Sequence, residues 1–390
     1  MLMVVAVAAG SAPKIMPLST IEDAARDIRD GKMIIIVDDE DRENEGDLVC
    51  AAEKVTAAMV NFMAVHGRGL ICLPLTEERC NELQLFPQTT ENTSSMGTAF
   101  TTSIEAREGV TTGISAADRA RTILTAVDPL SRPSDLARPG HVFPLRAKNG
   151  GVLVRVGQTE ASVDIARIAG LQPAAVICEI MNDDGTMARM PELERFAVNH
   201  DLKIIPVADL VRFRIEKETL VRRIAEADLP THYGLFHTVV YENIVNGETH
   251  IALRMGDVSG TTDPVLVRVQ TENVTFAMFG TLLGEASDAV QASLRKISQA
   301  GRGVVVYLRQ RENNLDLVNQ LKTYALMQES GVDFQTAKRE TGYGKVHDHG
   351  IGAQILKDLG VKKIALLSNH PPKVNALDAF GLEIIDTVGL

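Results

Sequence analysis

The densest cluster of chemically active side chains lies at residues 38–47, where seven of ten positions are Asp or Glu. Carboxylates so close together repel one another, so they need a nearby cation or raised pKa values. The stretch therefore predicts a site for a hard divalent cation, with one carboxylate left over as a base. The alternative is a solvated charge run at the end of a strand, although Arg42 and Gly46 interrupt a simple acidic tail.

A rigid element is predicted to deliver this acidic stretch. Residues 33–37 form an apolar, β-branched run that is typical of a buried strand. Before it, Ser19 followed by Glu22 fits a capping box and predicts a helix that Gly31 closes. The order helix, strand and acidic loop places the carboxylates at a strand end.

Three further stretches carry candidate residues. Residues 109–115, which include Thr112, combine glycines and hydroxyls before a helix predicted over 116–126, and predict either an anion cradle or an ordinary capped turn. Residues 152–156 alternate as a strand, and a helix capped by Thr159 is predicted to follow and to end near residue 169. Residues 88–102 lack periodicity and predict a long loop that could cover a site.

Two candidates allow a structural or a chemical interpretation. Glu179 ends a predicted buried strand over 174–180, so it is either a group with a perturbed pKa at a site or one half of an ion pair. His141 follows a Pro-rich loop, where an isolated histidine is more often structural than catalytic.

Composition excludes several classes. The 390 residues are 45% hydrophobic and 23% charged, as in globular proteins, and the net charge of −11 argues against a nucleic-acid or anionic-membrane surface. Four cysteines without paired spacing predict neither a zinc ribbon nor a disulfide framework, so we expect a cytoplasmic protein. Residues 1–9 are apolar but too short to span a bilayer, and residues 1–17 are predicted to form a flexible leader, with a cleaved signal peptide as the alternative.

The second half of the chain is also predicted to be α/β. A charge-rich helical stretch over 207–227 is expected to contain the domain boundary, near residues 214–219. Beyond it, residues 250–258 and 265–269 are predicted to be paired strands. Neither a P-loop nor a complete dinucleotide fingerprint occurs in the sequence.

Four motifs occur in order within residues 18–214: the acidic stretch, 113–119, 138–145 and 178–189. Together they resemble 3,4-dihydroxy-2-butanone 4-phosphate synthase, the riboflavin biosynthesis enzyme that converts ribulose 5-phosphate to a four-carbon ketone phosphate and formate. Residues 215–390 resemble the GTP cyclohydrolase II domain fused behind it, through 308–310 and 350–356. The resemblance implies two domains of the α/β (α+β) class and a homodimer with sites near the subunit interface.

The resemblance also implies roles for individual residues. Glu43 and Gln158 match the ligands of one or two Mg²⁺ or Mn²⁺ ions. Positions that contact the sugar phosphate are matched by Arg42, Asp47, Arg155, Thr159 and Thr112. Positions that act in catalysis are matched by His141, Glu179, Glu45 and Cys72. An enolisation beside a carbonyl needs a positioned base and a divalent Lewis acid, which agrees with this set.

Two departures from the family pattern change the expectation. Gln158 stands where the family has a metal-binding histidine, and its neutral amide oxygen predicts weaker metal binding and a changed preference for Mn²⁺. The three zinc cysteines of GTP cyclohydrolase II are matched by Asn273, Gly284 and Ala286. His347 and His349 are interpreted as surface residues, so the second domain is predicted to bind no zinc and to lack that activity.

The sequence therefore predicts a metal-dependent lyase acting on ribulose 5-phosphate, joined to a domain inactive as GTP cyclohydrolase II. Two alternatives remain. One is a catalytically silent paralogue with a regulatory or scaffold role, and the other is a divergent enzyme that acts on another sugar phosphate. The joint presence of Glu43, Asp47, His141 and Glu179 favours an enzyme over a scaffold.

Overall fold

The computed structural model describes residues 18–39, 42–94, 96–272, 289–309, 314–341, 349–369, 377 and 380–390. The chain divides into one compact unit that ends at Arg214 and another that starts at Ile215. The predicted leader over 1–17, the positions that match the zinc cysteines and His347 lie outside the described residues. No helix among the described residues is long and apolar enough to cross a membrane.

The first unit is built on a mixed sheet in which the described residues form seven strands, in the spatial order β4-β5-β3-β6-β2-β1-β7. The strands are β1 (Ile34–Val37), β2 (Gly46–Ala51), β3 (Cys72–Leu75), β4 (Ile104–Ala106), β5 (Leu136–Arg146), β6 (Ala175–Glu179) and β7 (Lys203–Pro206). β1 and β2 pair antiparallel, with Val37 opposite Gly46. The acidic stretch is therefore the loop of a hairpin in the interior of the sheet.

Helices cover both faces of this sheet. They are α1 (Ile21–Arg29), α2 (Ala57–Phe62), α3 (Glu77–Glu82), α4 (Ala116–Val127), α5 (Gln158–Ile168), α6 (Met190–His200) and α7 (Val207–Lys217). One core joins α1, α5 and α7 to the side chains of Val49, Cys72 and Ile177. The other core lies on the opposite face of the sheet. It joins α2, α4 and α6 to strand side chains such as Leu48 and Cys178, which alternate with Val49 and Ile177 along the strands. The result is a three-layer unit.

Two helix caps and one strand that the sequence predicted are wrong. Thr20, not Ser19, caps α1 through a 3.1 Å bond from Asp23 N–H, because Ser19 N–H donates instead to the carbonyl of Ile204. Gly157 is the N-cap of α5, so Thr159 lies inside the helix. The strand predicted over 152–156 is wrong: Gly151–Leu153 form a short 3₁₀ turn after Gly150, whose φ of 91° reverses the chain.

The described residues of the second unit form another seven-stranded sheet, ordered β14-β13-β11-β12-β10-β9-β8. Its strands are β8 (Val221–Thr231), β9 (Gly234–Asn243), β10 (Thr249–Met255), β11 (Val265–Thr271), β12 (Gly303–Leu308), β13 (Lys363–Leu367) and β14 (Glu383–Val388). Its helices are α8 (Ala289–Ala300), α9 (Asn314–Ser330), α10 (Phe334–Thr341) and α11 (His349–Asp358). Both units are α/β, as predicted.

Two predictions for the second half are wrong. The helix begun at Val207 ends at Lys217, and residues from Val221 onward form β8, because β9 supplies a full antiparallel partner for that segment. β10 and β11 are not paired with each other. β12 lies between them, antiparallel to β10 and parallel to β11, since the crossover through α8 brings the chain back beside β11 in the same direction.

Candidate active site

Asp47 and Glu179 face each other across neighbouring strands. They are register partners in the antiparallel β2–β6 pair. Because side chains alternate along a strand, both lie on the same face as Val49 and Ile177, which pack in the core with α5. Cys72, the register partner of Ile177, shares that face. Three sequence-predicted residues thus converge on the side of the sheet that α5 covers.

The N-terminus of α5 brings further candidates to this face. Gln158, Thr159 and Glu160 are 5%, 6% and 1% exposed. Gly157, just before them, leaves room for two cations: a Cβ there would lie 2.7 Å from Nη1 of Arg155 and 3.0 Å from Nη2 of Arg42. Two guanidinium groups therefore meet at a helix N-terminus, where backbone N–H groups also favour anions.

The acidic loop is closed by Asp38. Its side chain is fully buried and accepts hydrogen bonds from the N–H of Glu43 at 3.0 Å, from the N–H of Glu45 at 2.9 Å and from Nη1 of Arg42 at 2.7 Å. Three donors on one carboxylate compensate its burial. Asp38 therefore acts as the internal brace of the loop.

Arg42 joins the acidic loop to α5. Its Nη1 also lies 3.1 Å from Oε2 of Glu43 and 2.8 Å from Oε1 of Gln158. Oxygen atoms of Asp38, Glu43 and Gln158 thus converge on one positively charged nitrogen. The guanidinium nitrogen of Arg42 therefore lies among three oxygen atoms, and two of these oxygens belong to Glu43 and Gln158, the predicted metal ligands.

This donor set fits Mg²⁺ better than a thiolate or imidazole metal. Among the residues that the structure describes, no three His, Cys, Asp or Glu side chains are grouped to hold a metal. Mg²⁺ does not require such a group, because it keeps several waters and binds through one or two carboxylates. Gln158 also has a buried Nε2 without a hydrogen-bond partner in the described part of the chain, so its amide orientation is set by the oxygen side alone.

Arg155 is held in place by a buried carboxylate. Its Nη1 lies 2.7 Å from Oε2 of Glu160, whose side chain is 1% exposed. Its Nη2 donates to the carbonyl of Met96 at 3.1 Å and approaches Oγ1 of Thr98 at 3.4 Å. The guanidinium thereby ties the predicted covering loop to the N-terminus of α5.

Burial and mutual repulsion raise the proton affinity of the carboxylates. Burial raises the pKa of Asp47 well above its ordinary value, and the charges of Glu179 and Glu43 raise it further. The pKa of Glu45 is also raised, first by burial and then by Glu43. The pKa of the Cys72 thiol is raised by burial and by Glu179, so this thiol stays neutral.

Glu179 is fixed by the backbone. Its Oε2 accepts a 2.8 Å hydrogen bond from the N–H of Leu70. Gly69 permits this contact, because a Cβ there would lie 2.4 Å from the same oxygen. The carboxylate is therefore oriented by a close approach of the chain that precedes β3.

His141 and Thr112 belong to a second group. His141 lies on β5, and its Nδ1 is 2.8 Å from Oε2 of Glu105 on β4. Thr112 is exposed in the loop before α4. Three strand spacings, about 14 Å, separate β5 from β2. The structure thus gathers the acidic loop, α5 and Glu179 at one place and His141 at the β4 side of the sheet.

Comparisons with known proteins identify the family to which the chain belongs. A family profile of 3,4-dihydroxy-2-butanone 4-phosphate synthase matches residues 22–213, and one of GTP cyclohydrolase II matches residues 222–389. The riboflavin biosynthesis protein RibBA of Aquifex aeolicus is 53% identical over 374 residues, covering 95% of this chain and 92% of that protein. The chain belongs to the family of bifunctional riboflavin biosynthesis proteins that includes RibBA. The resemblance read from the motifs is confirmed.

Solved structures extend the comparison. A crystal structure of RibBX, described as a two-domain 3,4-dihydroxy-2-butanone 4-phosphate synthase from A. baumannii, is 39% identical with a TM-score of 0.75, covering 95% of this chain and 99% of that one. A 3,4-dihydroxy-2-butanone 4-phosphate synthase in complex with two magnesium ions is 41% identical with a TM-score of 0.50, covering 51% of this chain and 98% of that one. The two-domain α/β fold of this riboflavin biosynthesis family is thus confirmed.

Sequence reasoning missed residues that hold the others. The sequence placed Asp38 in the acidic stretch but did not show that it holds the loop together. It also did not show that Glu160 forms an ion pair with Arg155. Arg189, the N-cap residue of α6, donates through Nη1 to the carbonyl of Glu43 at 2.7 Å and to the carbonyl of Asn44. Its position at the end of a matched motif was the available signal.

We expect Arg189 to control the order of the acidic loop. Asn44 has a left-handed φ of 55°, a conformation that needs support from its surroundings. Replacing Arg189→Met should accelerate amide hydrogen exchange at residues 42–46, measured by mass spectrometry. Arg195→Met, which removes an exposed arginine from the same helix, should leave that exchange unchanged. Equal exchange in the two variants would contradict the prediction.

We expect Asp47→Asn to stabilise the metal-free protein at high pH. The pKa of Asp47 is higher in the folded than in the unfolded state, so below the unfolded pKa the carboxyl is neutral in both states. As the pH rises above the unfolded pKa, the unfolded chain loses this proton more readily. The free energy of unfolding therefore falls until the pH has passed the folded pKa. The amide removes this penalty. The melting temperature of the variant should exceed that of the wild type at pH 8, and the difference should shrink toward pH 4. The exposed Asp39→Asn is the control, and a lower melting temperature for Asp47→Asn at pH 8 would refute the argument.

Proposed function

We propose that this chain is a metal-dependent lyase that converts D-ribulose 5-phosphate to 3,4-dihydroxy-2-butanone 4-phosphate and formate. The observation that carries the proposal is the convergence of oxygens from Asp38, Glu43 and Gln158 on one cation, Nη1 of Arg42, at the N-terminus of α5. A site built in this way suits a polyhydroxylated anionic substrate and a hard cation. Family membership supports the same activity.

Glu43 and Gln158 would hold Mg²⁺ or Mn²⁺, as one ion or two. The bound ion would polarise the carbonyl and hydroxyl oxygens of the substrate. The homologous synthase in complex with two magnesium ions supports a divalent metal here. Because Gln158 supplies a neutral oxygen and already accepts from Arg42, we infer that this chain binds its metal more weakly than a chain with histidine at this position.

The phosphate of the substrate would lie at the N-terminus of α5. Arg155 and Arg42 meet at the start of this 11-residue helix, and Thr159 is its second residue. The helix dipole and free N–H groups add to the positive charge there. Glu160 keeps the guanidinium of Arg155 in one orientation, which favours paired hydrogen bonds to phosphate oxygens.

The carboxylates would divide the proton transfers among them. Asp47, whose pKa is raised most strongly, would remain protonated and donate a hydrogen bond to a substrate oxygen. Glu45, with a smaller increase in pKa, would accept a proton near neutral pH. Glu179 completes the proposed set at the acidic loop, and Cys72 would contribute a neutral thiol. His141, three strand spacings from β2 within one chain, would act in the site that the predicted homodimer forms near its subunit interface. Thr112 would contact the substrate from the loop before α4.

The second unit is proposed to be inactive as GTP cyclohydrolase II. The sequence contains no cysteine after Cys178, so the thiolate zinc site of that enzyme is not available. RibBX, which matches nearly the whole chain, is described only as a two-domain 3,4-dihydroxy-2-butanone 4-phosphate synthase. The homodimer and the cytoplasmic location remain predictions.

We expect the purified chain to release formate from ribulose 5-phosphate with Mg²⁺ or Mn²⁺. Glu43→Ala should lower the rate about 100-fold or more, because it removes the carboxylate that anchors the metal. Gln158→His should raise metal affinity, measured by calorimetry, since it replaces an amide by an imidazole. Arg195→Met is the control for a remote surface change.

The outcomes separate the hypotheses. Formate from the wild type that Glu43→Ala abolishes establishes the lyase. Activity that appears only in Gln158→His means a site disabled at one ligand, as in a silent paralogue. If neither the wild type nor Gln158→His releases formate, but a different pentose phosphate raises the melting temperature, the result favours a divergent enzyme that acts on another sugar phosphate.

We expect no hydrolysis of GTP by the full chain, with or without added zinc. The assay follows formate release from GTP, and zinc content is measured by mass spectrometry after dialysis. GTP turnover together with bound zinc would contradict the proposed inactivity of the second unit.

A further inference from the structure

Glu105 lies directly against the imidazole of His141. The distance from its Oε2 to Nδ1 of the histidine is 2.8 Å, and its side chain is 14% exposed, whereas that of His141 is 44% exposed. The carboxylate is therefore partly shielded from solvent, and the ring is the more exposed partner. Neither the motifs nor the family comparisons assign a role to Glu105.

Two glycines make this contact possible. A Cβ at Gly140 would lie 2.0 Å from the backbone carbon of Ile104 and 2.5 Å from the backbone nitrogen of Glu105. A Cβ at Gly113, whose φ is +89°, would lie 1.5 Å from Oε1 of Glu105. One glycine thus lets β5 approach the backbone that carries Glu105, and the other leaves space for its carboxylate.

The pairing of β4 with β5 adds a third feature. The register shifts between Ile104 and Glu105, so that Ile104 is opposite Val142 while Glu105 is opposite Ala137. Such irregularities redirect side chains at sheet edges, and they occur often beside active sites. Here the irregularity falls on the residue that contacts His141.

We propose that Glu105 is a positioning residue that holds His141 in a single tautomer and orientation. Nδ1–H donates to Glu105, which leaves the lone pair on Nε2, the ring nitrogen that does not contact the carboxylate. This inference rests on the proposed role of His141 in the lyase reaction. The arrangement resembles other carboxylate–histidine pairs, in which the bond at one ring nitrogen determines the chemistry at the other.

The His141–Glu105 pair gains one proton and gives it back during the reaction. Nε2 accepts one proton from the substrate and the ring becomes imidazolium, whose positive charge the Glu105 carboxylate offsets. The ring then returns that proton from Nε2 to a later intermediate or to water. Nδ1–H stays bonded to Glu105 throughout, so no further reactant is required.

The kinetic test compares three variants with the wild type. Glu105→Gln keeps a hydrogen-bond acceptor but removes the charge, and should lower kcat about 10- to 100-fold with KM within about 3-fold of wild type. Glu105→Asp keeps the charge and should recover part of the loss. Glu108→Gln, an exposed carboxylate in the same segment, is the matched control and should behave as wild type. Equal kcat in Glu105→Gln and Glu108→Gln would overturn the proposal.

A spectroscopic test needs no turnover. Ring ¹⁵N chemical shifts of the histidine-labelled protein, assigned by comparison with His141→Gln, report which nitrogen carries the proton. The proposal requires Nδ1–H in the wild type and a shift toward Nε2–H in Glu105→Leu, checked for folding by circular dichroism. A wild-type ring protonated at Nε2 would overturn it. Absence of formate release by the wild type would refute the lyase assignment, while the ¹⁵N shifts would still decide whether Glu105 sets the tautomer.

Discussion

The bonds to the buried carboxylate of Asp38 are the interaction on which the rest of the candidate site depends. Asp38 directly follows β1, and two backbone N–H groups and one guanidinium nitrogen donate to it. A loop with so many acidic residues would otherwise be driven open by repulsion. Because Asp38 turns the chain back on itself, Glu43 and Glu45 are presented together and β2 begins in register beside β1. The same bonds therefore shape both the hairpin and the chemistry.

Three arginines place positive charge in and around the acidic loop. Arg42 bridges the loop to Gln158, Arg155 is anchored by Glu160, and Arg189 holds two loop carbonyls from the start of α6. Each guanidinium comes from a different segment, and each has several donors in a fixed plane, which suits it to join oxygen atoms on separate elements. The acidic loop and the start of α5 are thus stabilised by cations from three separate segments of the chain.

This arrangement carries a cost in stability that is consistent with function. Asp47 is buried beside Glu179, and both burial and charge oppose its ionisation. An apolar residue at this position would avoid that cost, and the buried carboxyl is consistent with the role proposed for Asp47 in proton transfer. Glu105 and His141 form a second pair on this sheet, in which a carboxylate that is 14% exposed lies 2.8 Å from a ring that is 44% exposed.

The sequence by itself determined the features that depend on neighbouring residues: β1 and the acidic loop after it, the helices over α1, α4 and α5, and the family motifs. It could not determine that Arg42 reaches Gln158 across 116 positions, or that Glu105 meets His141 across 36, because such contacts exist only once particular strands pair. The misplaced caps at Ser19 and Thr159 and the turn at Gly151–Leu153 have the same origin. Local propensity allowed several conformations there, and tertiary hydrogen bonds selected one of them.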